Sequence, residues 1–391
     1  MEWFEALAIL IGAILVLMAI GMPVALAFLA ANILGAWVFM GGERGVAQLL
    51  NNGFGSLTKY ALMPIPLFLL MGEIFFYTGL GGRMFNAIDK LLGKLPGRLS
   101  YVTVLGGTAF STLSGSSMGS TALLGSLMVP EMSRRGYKSH MSIGPILGTG
   151  GLAIIIPPSA LAVLLATLAQ IDVAALLLAG VIPGLILAGF YIATIWLQTK
   201  IDPNAAPAYD VPSMSFTEKI VLLLREVVPM VGIMVVIIIL MIEGFVTPSE
   251  AAAFGALGVL LLAAVFKCLT WDALRKSILG ALRVTLMAYL IVFGSATFSQ
   301  ILAFSGASRG LVKWATSFDL APLAMLMIMF AVLLLLGMFM EQISIMLLTV
   351  PIFFPLAQSL GFDLVWFGLI MLLSLEISFT TPPFGLLLFV M

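Results

Sequence analysis

The residues of this chain that can do chemistry are oxygen donors placed at breaks in apolar stretches. Ser114-Gly115-Ser116-Ser117 interrupts one such stretch, and Gly148-Thr149-Gly150-Gly151 leads through another to Pro157-Pro158-Ser159. A second set repeats the theme: Glu341 is followed by Ser344 and Thr349, and Ser374, Ser378, Thr380 and Thr381 precede Pro382-Pro383. Proline has no N–H and stops a helix, so a Pro-Pro pair frees carbonyls that hydrocarbon cannot satisfy; such a break survives only where it lines a polar cavity. Hard hydroxyl and carbonyl oxygens suit Na+ better than a transition metal. The single Cys268 and single His140 supply neither a metal cluster nor a catalytic constellation, and His140, following a basic loop, reads as a solvated or interfacial residue. A carboxylate at membrane depth, as Glu341 would be, is costly unless it meets a cation or a proton, so it is a functional candidate.

These breaks are positioned by an internal duplication. Prolines 23 and 248, 130 and 355, 157 and 382, and 158 and 383 are each separated by 225 residues. At that offset Ser116 falls on Glu341, and a period this long means two large halves rather than a solenoid. With 62% apolar and only 9% charged residues, the composition is that of a polytopic membrane protein, since globular domains carry about 25% charged residues. Zero net charge argues against a nucleic-acid partner or a polybasic anchor. The acidic start Glu2-Trp3-Phe4-Glu5 lacks the basic region and cleavage site of a signal peptide, so the first apolar segment reads as a retained helix.

Apolar spans are expected near 6–20, 23–40, 64–80, 174–198, 229–245, 249–266 and 284–304, with a broken span over 142–170 and a polar connection before residue 64. Residues 99–131 differ: each arm beside the Ser-rich break is about 14–17 residues, short of the roughly 20 needed to span. Basic residues flank both ends (Lys94, Arg98; Arg134, Arg135, Lys138), so the segment reads as a re-entrant helical hairpin with its tip at 114–117. Residues 322–358 form its counterpart, breaking near Met340-Glu341-Gln342 and entering from the opposite side. With the N-terminus outside, the connections 81–98, 131–140, 199–228 and 267–283 face the cytoplasm and hold 14 of the 18 Lys and Arg residues, as the positive-inside bias requires. The first half runs past its Pro-Pro pair through a complete span; the second stops at Met391, so one further span is expected beyond it. Helical arms aim their N-terminal dipoles at the tips, which favours an anionic group there.

Simpler roles fit several of these residues. The serine run can serve close helix packing. Thr247-Pro248-Ser249-Glu250 reads as a capping box with proline in the first turn, making Glu250 a cap. Glu73 and Glu376 can face either a packed partner or the cavity, and the Met and Phe residues read as packing and lipid-facing material.

The runs Leu113-Ser114-Gly115-Ser116-Ser117, Ile155-Ile156-Pro157-Pro158-Ser159, Gly337-Met338-Phe339-Met340-Glu341, Leu348-Thr349-Val350-Pro351-Ile352, and Leu375-Glu376-Ile377 leading into Thr381-Pro382-Pro383-Phe384-Gly385 resemble the large membrane subunit of tripartite ATP-independent periplasmic (TRAP) transporters. The similarity spans essentially the whole chain. It implies an all-α inner-membrane protein of two inverted-topology repeats that works as an elevator. Residues 99–170 and 322–391 would be the transport domain, the latter truncated at its C-terminus, and 1–98 and 171–321 the scaffold and arm helices. The resemblance further implies Na+-coupled uptake of an organic acid, of the sialic acid or dicarboxylate class. The acid would be delivered by a periplasmic binding protein, and a small four-helix membrane subunit would complete the assembly.

Carried over residue by residue, the family's sites place one Na+ near Ser114, Ser116, Gly148, Thr149 and Pro157, and a second near Glu341, Ser374, Thr380 and Pro382. The substrate carboxylate would lie between the tips, with Ser117, Ser344 and Ser116 as contacts. The family usually has Asp where this chain has Glu341, one methylene longer, which leaves ion ligand and tip orienter both open. A stand-alone ion-coupled carboxylate transporter would share the hairpins yet need no binding protein. A membrane-embedded enzyme would need a nucleophile, base or metal cluster that the sequence does not offer.

Overall fold

The computed structural model describes residues 2–209, 214–338, 340–381, 385 and 387–388. Among them every regular element is a helix. The first half runs α1 (Trp3–Ala19), α2 (Val24–Phe39), α3 (Glu43–Leu57), α4 (Pro64–Tyr77), α5 (Leu80–Leu92), α6 (Arg98–Ser114), α7 (Ser117–Arg134), α8 (Ser139–Ile155), α9 (Ala160–Ala169), α10 (Val173–Ala179) and α11 (Val181–Ile201). The second runs α12 (Phe216–Leu222), α13 (Val228–Ile242), α14 (Pro248–Val265), α15 (Trp271–Phe304), α16 (Ala307–Thr316), α17 (Pro322–Gly337), α18 (Gln342–Ser359) and α19 (Leu364–Phe379). The boundaries keep the offset seen in the prolines: α18 starts and ends 225 residues after α7. Among the described residues six helical stretches are long and apolar enough to cross a membrane, seven with the bent α8–α9 pair; α1, α2, α17 and α19 are shorter, at 16 or 17 residues. The chain is a multi-pass membrane protein.

Three expected connections are helical instead. Residues 43–57 form the amphipathic α3, the equivalent region 271–283 is the start of α15, and residues 216–227 form α12 and a π-helical turn that runs into α13. Their polar composition hid them, because a helix on a polar surface needs only one apolar stripe. The two halves then diverge for a covalent reason. Pro64 and Pro66, which cannot donate to a preceding turn, separate α3 from α4. At the equivalent positions the second half has Tyr289 and Ile291, and α15 continues unbroken for 34 residues. The expected cap at Thr247 is present: Glu250 N–H donates to Thr247 Oγ1 (3.4 Å) and Thr247 N–H donates back to Glu250 (2.8 Å).

The described helices fall into two compact units, and each unit mixes the repeats. One comprises residues 1–62, 163–176 and 284–383. In it α2 lies against the second part of α15: buried Asn32 donates to Gly294 O (2.7 Å) and Thr297 Oγ1 (2.6 Å), and Phe28 packs edge-on to Phe298. The other comprises 63–162, 177–283 and 384–391. There α14, the counterpart of α2, lies along α4, the counterpart of that part of α15, with Gly255 opening room for Met71 and Ile237. Alongside packing within each repeat, helices of one repeat therefore bury apolar faces of the other.

The feet of the first hairpin are fixed by buried polar contacts. Arg98 begins α6 at 1% exposure, paired with Asp89 of α5 at 2.9 Å. Tyr137 accepts from Leu99 N–H at 3.3 Å, and burial pushes its hydroxyl up to about 12, so it stays neutral. The segment joining the repeats clips both feet, its Ala206 and Ala205 carbonyls accepting from Gly97 N–H (3.1 Å) and Lys138 N–H (2.9 Å). Removing Asp89 would strand the Arg98 charge in the interior. Asp89→Ala is expected to cost about 2 kcal/mol of stability, discounted because the carboxylate is partly solvated, and Asp89→Ala with Arg98→Met to recover most of it. Thermal unfolding of the purified variants checks both.

Candidate ion and substrate site

The first tip is built to turn tightly and satisfy itself. α6 ends at Ser114, Gly115 takes the left-handed conformation (φ +60°, ψ 14°), and extended Ser116 caps α7 by accepting from Gly119 N–H at 3.1 Å. Ser114 Oγ donates to Ser111 O (3.1 Å) and lies 2.7 Å from Ser120 Oγ, tying the two arms together below the tip. The tip meets the first helix break directly: a side-chain carbon at Gly115 would lie 3.9 Å from both Pro158 O and Ala160 N. At that break α8 stops at Ile155, the Pro157–Pro158 bond is cis, and α9 leaves at 46°. Pro158 cannot donate to Ile154 O, so Ser159 Oγ does so instead (2.9 Å), while accepting from Ala162 N–H (3.2 Å).

The expected ion ligands of this half divide into two groups. Ser114, Ser116 and the Pro157–Pro158 turn come together at the tip. Gly148 and Thr149 lie earlier on α8 and their side-chain positions face elsewhere, Gly148 under the Tyr191 ring and Thr149 toward Gly107 with its hydroxyl donating to Pro145 O (2.5 Å). The α8 residue against the tip helix is Gly150, where a side chain would strike Thr121 Oγ1 and lie 3.3 Å from Ser117 O. Ser117 and Thr121, four residues apart, share that face of α7. The Thr121 and Ser111 hydroxyls are buried without a hydrogen-bond partner among the described residues. The i, i+4 spacing of Ser117 and Thr121 was the available signal for this face.

The second tip uses different chemistry on the same frame. Glu341 takes an extended conformation ahead of α18, and its side chain gives no hydrogen bond to the α18 N–H groups. Instead Glu341 Oε1 accepts from the buried Ser344 hydroxyl at 3.2 Å. The next residue, Gln342, donates to Glu376 Oε2 at 2.9 Å, both side chains buried, joining the start of α18 to α19. Gly337, ending α17, presses on Ser378 so closely that any side chain there would overlap its hydroxyl. Ser374 donates to Ile370 O (2.7 Å), repeating at the 225-residue offset the bond from Thr149 to Pro145 O. Thr380 closes α19 and its hydroxyl donates to Ile377 O (2.9 Å). Pro382 and Pro383 lie outside the described residues. Gln342 has no role in the sequence reading and Glu376 is open there between a packed partner and the cavity; only the fold pairs them, because they are 34 positions apart.

Comparison with known proteins shows the family of the chain. The chain is 33% identical over 340 residues to the C4-dicarboxylate TRAP transporter large permease protein DctM of Pseudomonas aeruginosa, covering 86% of this chain and 78% of that protein. It is 29% identical over 387 residues to the 2,3-diketo-L-gulonate TRAP transporter large permease protein YiaN of Escherichia coli, covering 97% and 88%. In fold it is similar to the Alcanivorax borkumensis YdaH transporter, with a TM-score of 0.62 at 13% identity over 90% of this chain and 81% of that one. The family described as the tripartite ATP-independent periplasmic transporter, DctM component, matches residues 11–391, and the chain belongs to it.

Proposed function

We propose that this permease takes up an organic acid in symport with Na+, receiving it from a periplasmic binding protein and working beside a small four-helix membrane subunit in a bacterial inner membrane, its N-terminus periplasmic. C4-dicarboxylates are the favoured class because the P. aeruginosa relative is named for them; sialic acid is the comparison substrate. The observation that carries the reading is the first tip set against the Pro157–Pro158 break, where hydroxyls and backbone oxygens converge in an apolar protein. Na+ is held there by Ser114, Ser116 and Pro157, without the side-chain positions of Gly148 and Thr149, which face elsewhere, and in the second half by Glu341, Ser374, Thr380 and Pro382. The substrate carboxylate is taken by Ser117, Ser116 and Ser344, and the α18 N-terminus, whose N–H groups Glu341 does not cap, favours the same charge.

Transport follows an elevator cycle in which residues 99–170 and 322–391 carry the sites past the remaining helices. Bound Na+ screens Glu341 and orders the tips, so the acid binds well only with ions present. Loaded and empty carriers then cross more readily than half-loaded ones.

Vesicles holding this chain and its small subunit, given the binding protein, should accumulate labelled C4-dicarboxylate only with an inward Na+ gradient. Uptake without Na+ overturns the coupling, and uptake without the binding protein favours a stand-alone carrier. Ser117→Ala is expected to lower uptake at limiting substrate about tenfold, the effect of losing one hydrogen bond to a charged group worth about 1.5 kcal/mol. Gln342→Leu leaves the Glu376 carboxylate buried without that donor, and should lower the melting temperature as well as transport, whereas Gln342→Leu with Glu376→Leu should restore the melting temperature alone.

A further inference from the structure

Glu73 is a carboxylate in α4, whose other residues are apolar apart from Gly72 and Tyr77, and α4 belongs to a stretch long and apolar enough to cross a membrane. Its neighbour Gly72 receives the first hairpin tip: a side chain at 72 would collide with the Ser114 carbonyl. On another side α15 closes in, since a side-chain carbon at Gly280 would lie 2.6 Å from Glu73 Oε2. A cavity of about 140 Å³ remains, lined by Gly72, Glu73, Phe76, Tyr77, Ser114, Ser116 and Gly119. Among the described residues Glu73 forms no ion pair. Three cations on adjoining elements are engaged elsewhere, Arg83 with Glu226 (2.8 Å), Arg98 with Asp89 (2.9 Å) and Lys276 with Asp272 (2.7 Å), and Arg283, one turn beyond Gly280 on α15, is exposed.

The dimensions and charge select the occupant. Small-molecule sites begin at roughly 300 Å³, whereas a water occupies about 30 Å³, so this space suits an ion with part of its hydration shell. A carboxylate wall rejects an organic acid. One carboxylate among neutral oxygens falls short of what Ca2+ usually collects, which leaves a hard monovalent cation. The duplication points the same way. The first hairpin has Ser116 and Gly151 where the second half has Glu341 and Glu376, but it faces Glu73 where the second half has Phe298. The first half thus draws its negative charge from α4 instead of from the hairpin.

We propose that Glu73, with the Ser114 carbonyl, forms a second Na+ site on the α4 side of the first tip, beside the one between the tip and the Pro157–Pro158 break. This rests on the Na+-coupled elevator reading. α4 lies in the part proposed to stay still and the tip in the part proposed to move, so a cation held by both latches the hairpin at one end of its travel.

The test is thermal unfolding of the purified chain with its small subunit, titrated with NaCl against KCl at constant ionic strength. Wild type should be stabilised by Na+. Glu73→Gln should be as stable as wild type in KCl, since it removes an unpaired charge, but its half-saturating Na+ should rise about tenfold, equivalent to about 1.4 kcal/mol. An unchanged Na+ response in Glu73→Gln overturns this site while leaving the coupling intact; a wild type indifferent to Na+ overturns both. Should Glu73→Gln fail to fold, Glu73→Asp takes its place, and a half-saturating Na+ equal to that of wild type overturns the proposal.

Discussion

Hydrocarbon offers no partner to an interrupted backbone, and the architecture of this permease follows from meeting that constraint at each place where a helix is broken. The first tip manages it with a left-handed Gly115 and the Ser116 cap. The first break manages it with one hydroxyl, Ser159, which replaces the donor that Pro158 lacks and caps the following helix. Serine and threonine recur at these points because a short hydroxyl side chain can donate to a carbonyl of the preceding turn while leaving a lone pair for something else. The groups that make a broken helix tolerable in a membrane are thereby the groups that a desolvated cation needs.

Interlocking of the repeats gives each break supporting helices from both halves of the chain. α2 packs on the second part of α15 in one unit, and α14 packs on α4 in the other. Each hairpin is consequently supported by helices from both halves of the chain. A duplication in which each half filled its own core would have made two independent domains; exchange of helices makes one protein whose halves must be folded together.

Much of this was legible in the sequence. Prolines have few places to go in a membrane, so their 225-residue offset survived divergence and predicted α7 and α18 in exact register. The breaks at 114–117 and 340–342 could be read because they interrupt apolar stretches, and each falls between two helices, although α18 is itself long enough to span. Helix α3, the start of α15 and α12 were missed, since an amphipathic surface helix has the polarity of a loop. The Gln342–Glu376 pair and the contact of Gly150 with the Ser117–Thr121 face were missed because each joins different helices, a fact that spacing along one element does not contain. The second Pro-Pro pair was expected to line the second site and lies outside the described residues.

The two halves share a frame and differ in where charge is placed. Around the second tip the carboxylates sit on the hairpin itself and on its partner α19, and Ser344 and Gln342 direct their donors to them. Ser344 cannot give the same proton to Glu341 and to a substrate carboxylate. Occupation of the second tip by a cation would relieve that competition, because a cation on Glu341 replaces the serine donor and frees the hydroxyl. On the proposed Na+ site Glu341 would be both ligand and orienter, holding Ser344 when the ion is absent and releasing it when the ion binds. Such an exchange makes acid binding conditional on the ion through one hydrogen bond. The length of the glutamate side chain lets its carboxylate reach a residue one helical turn along α18.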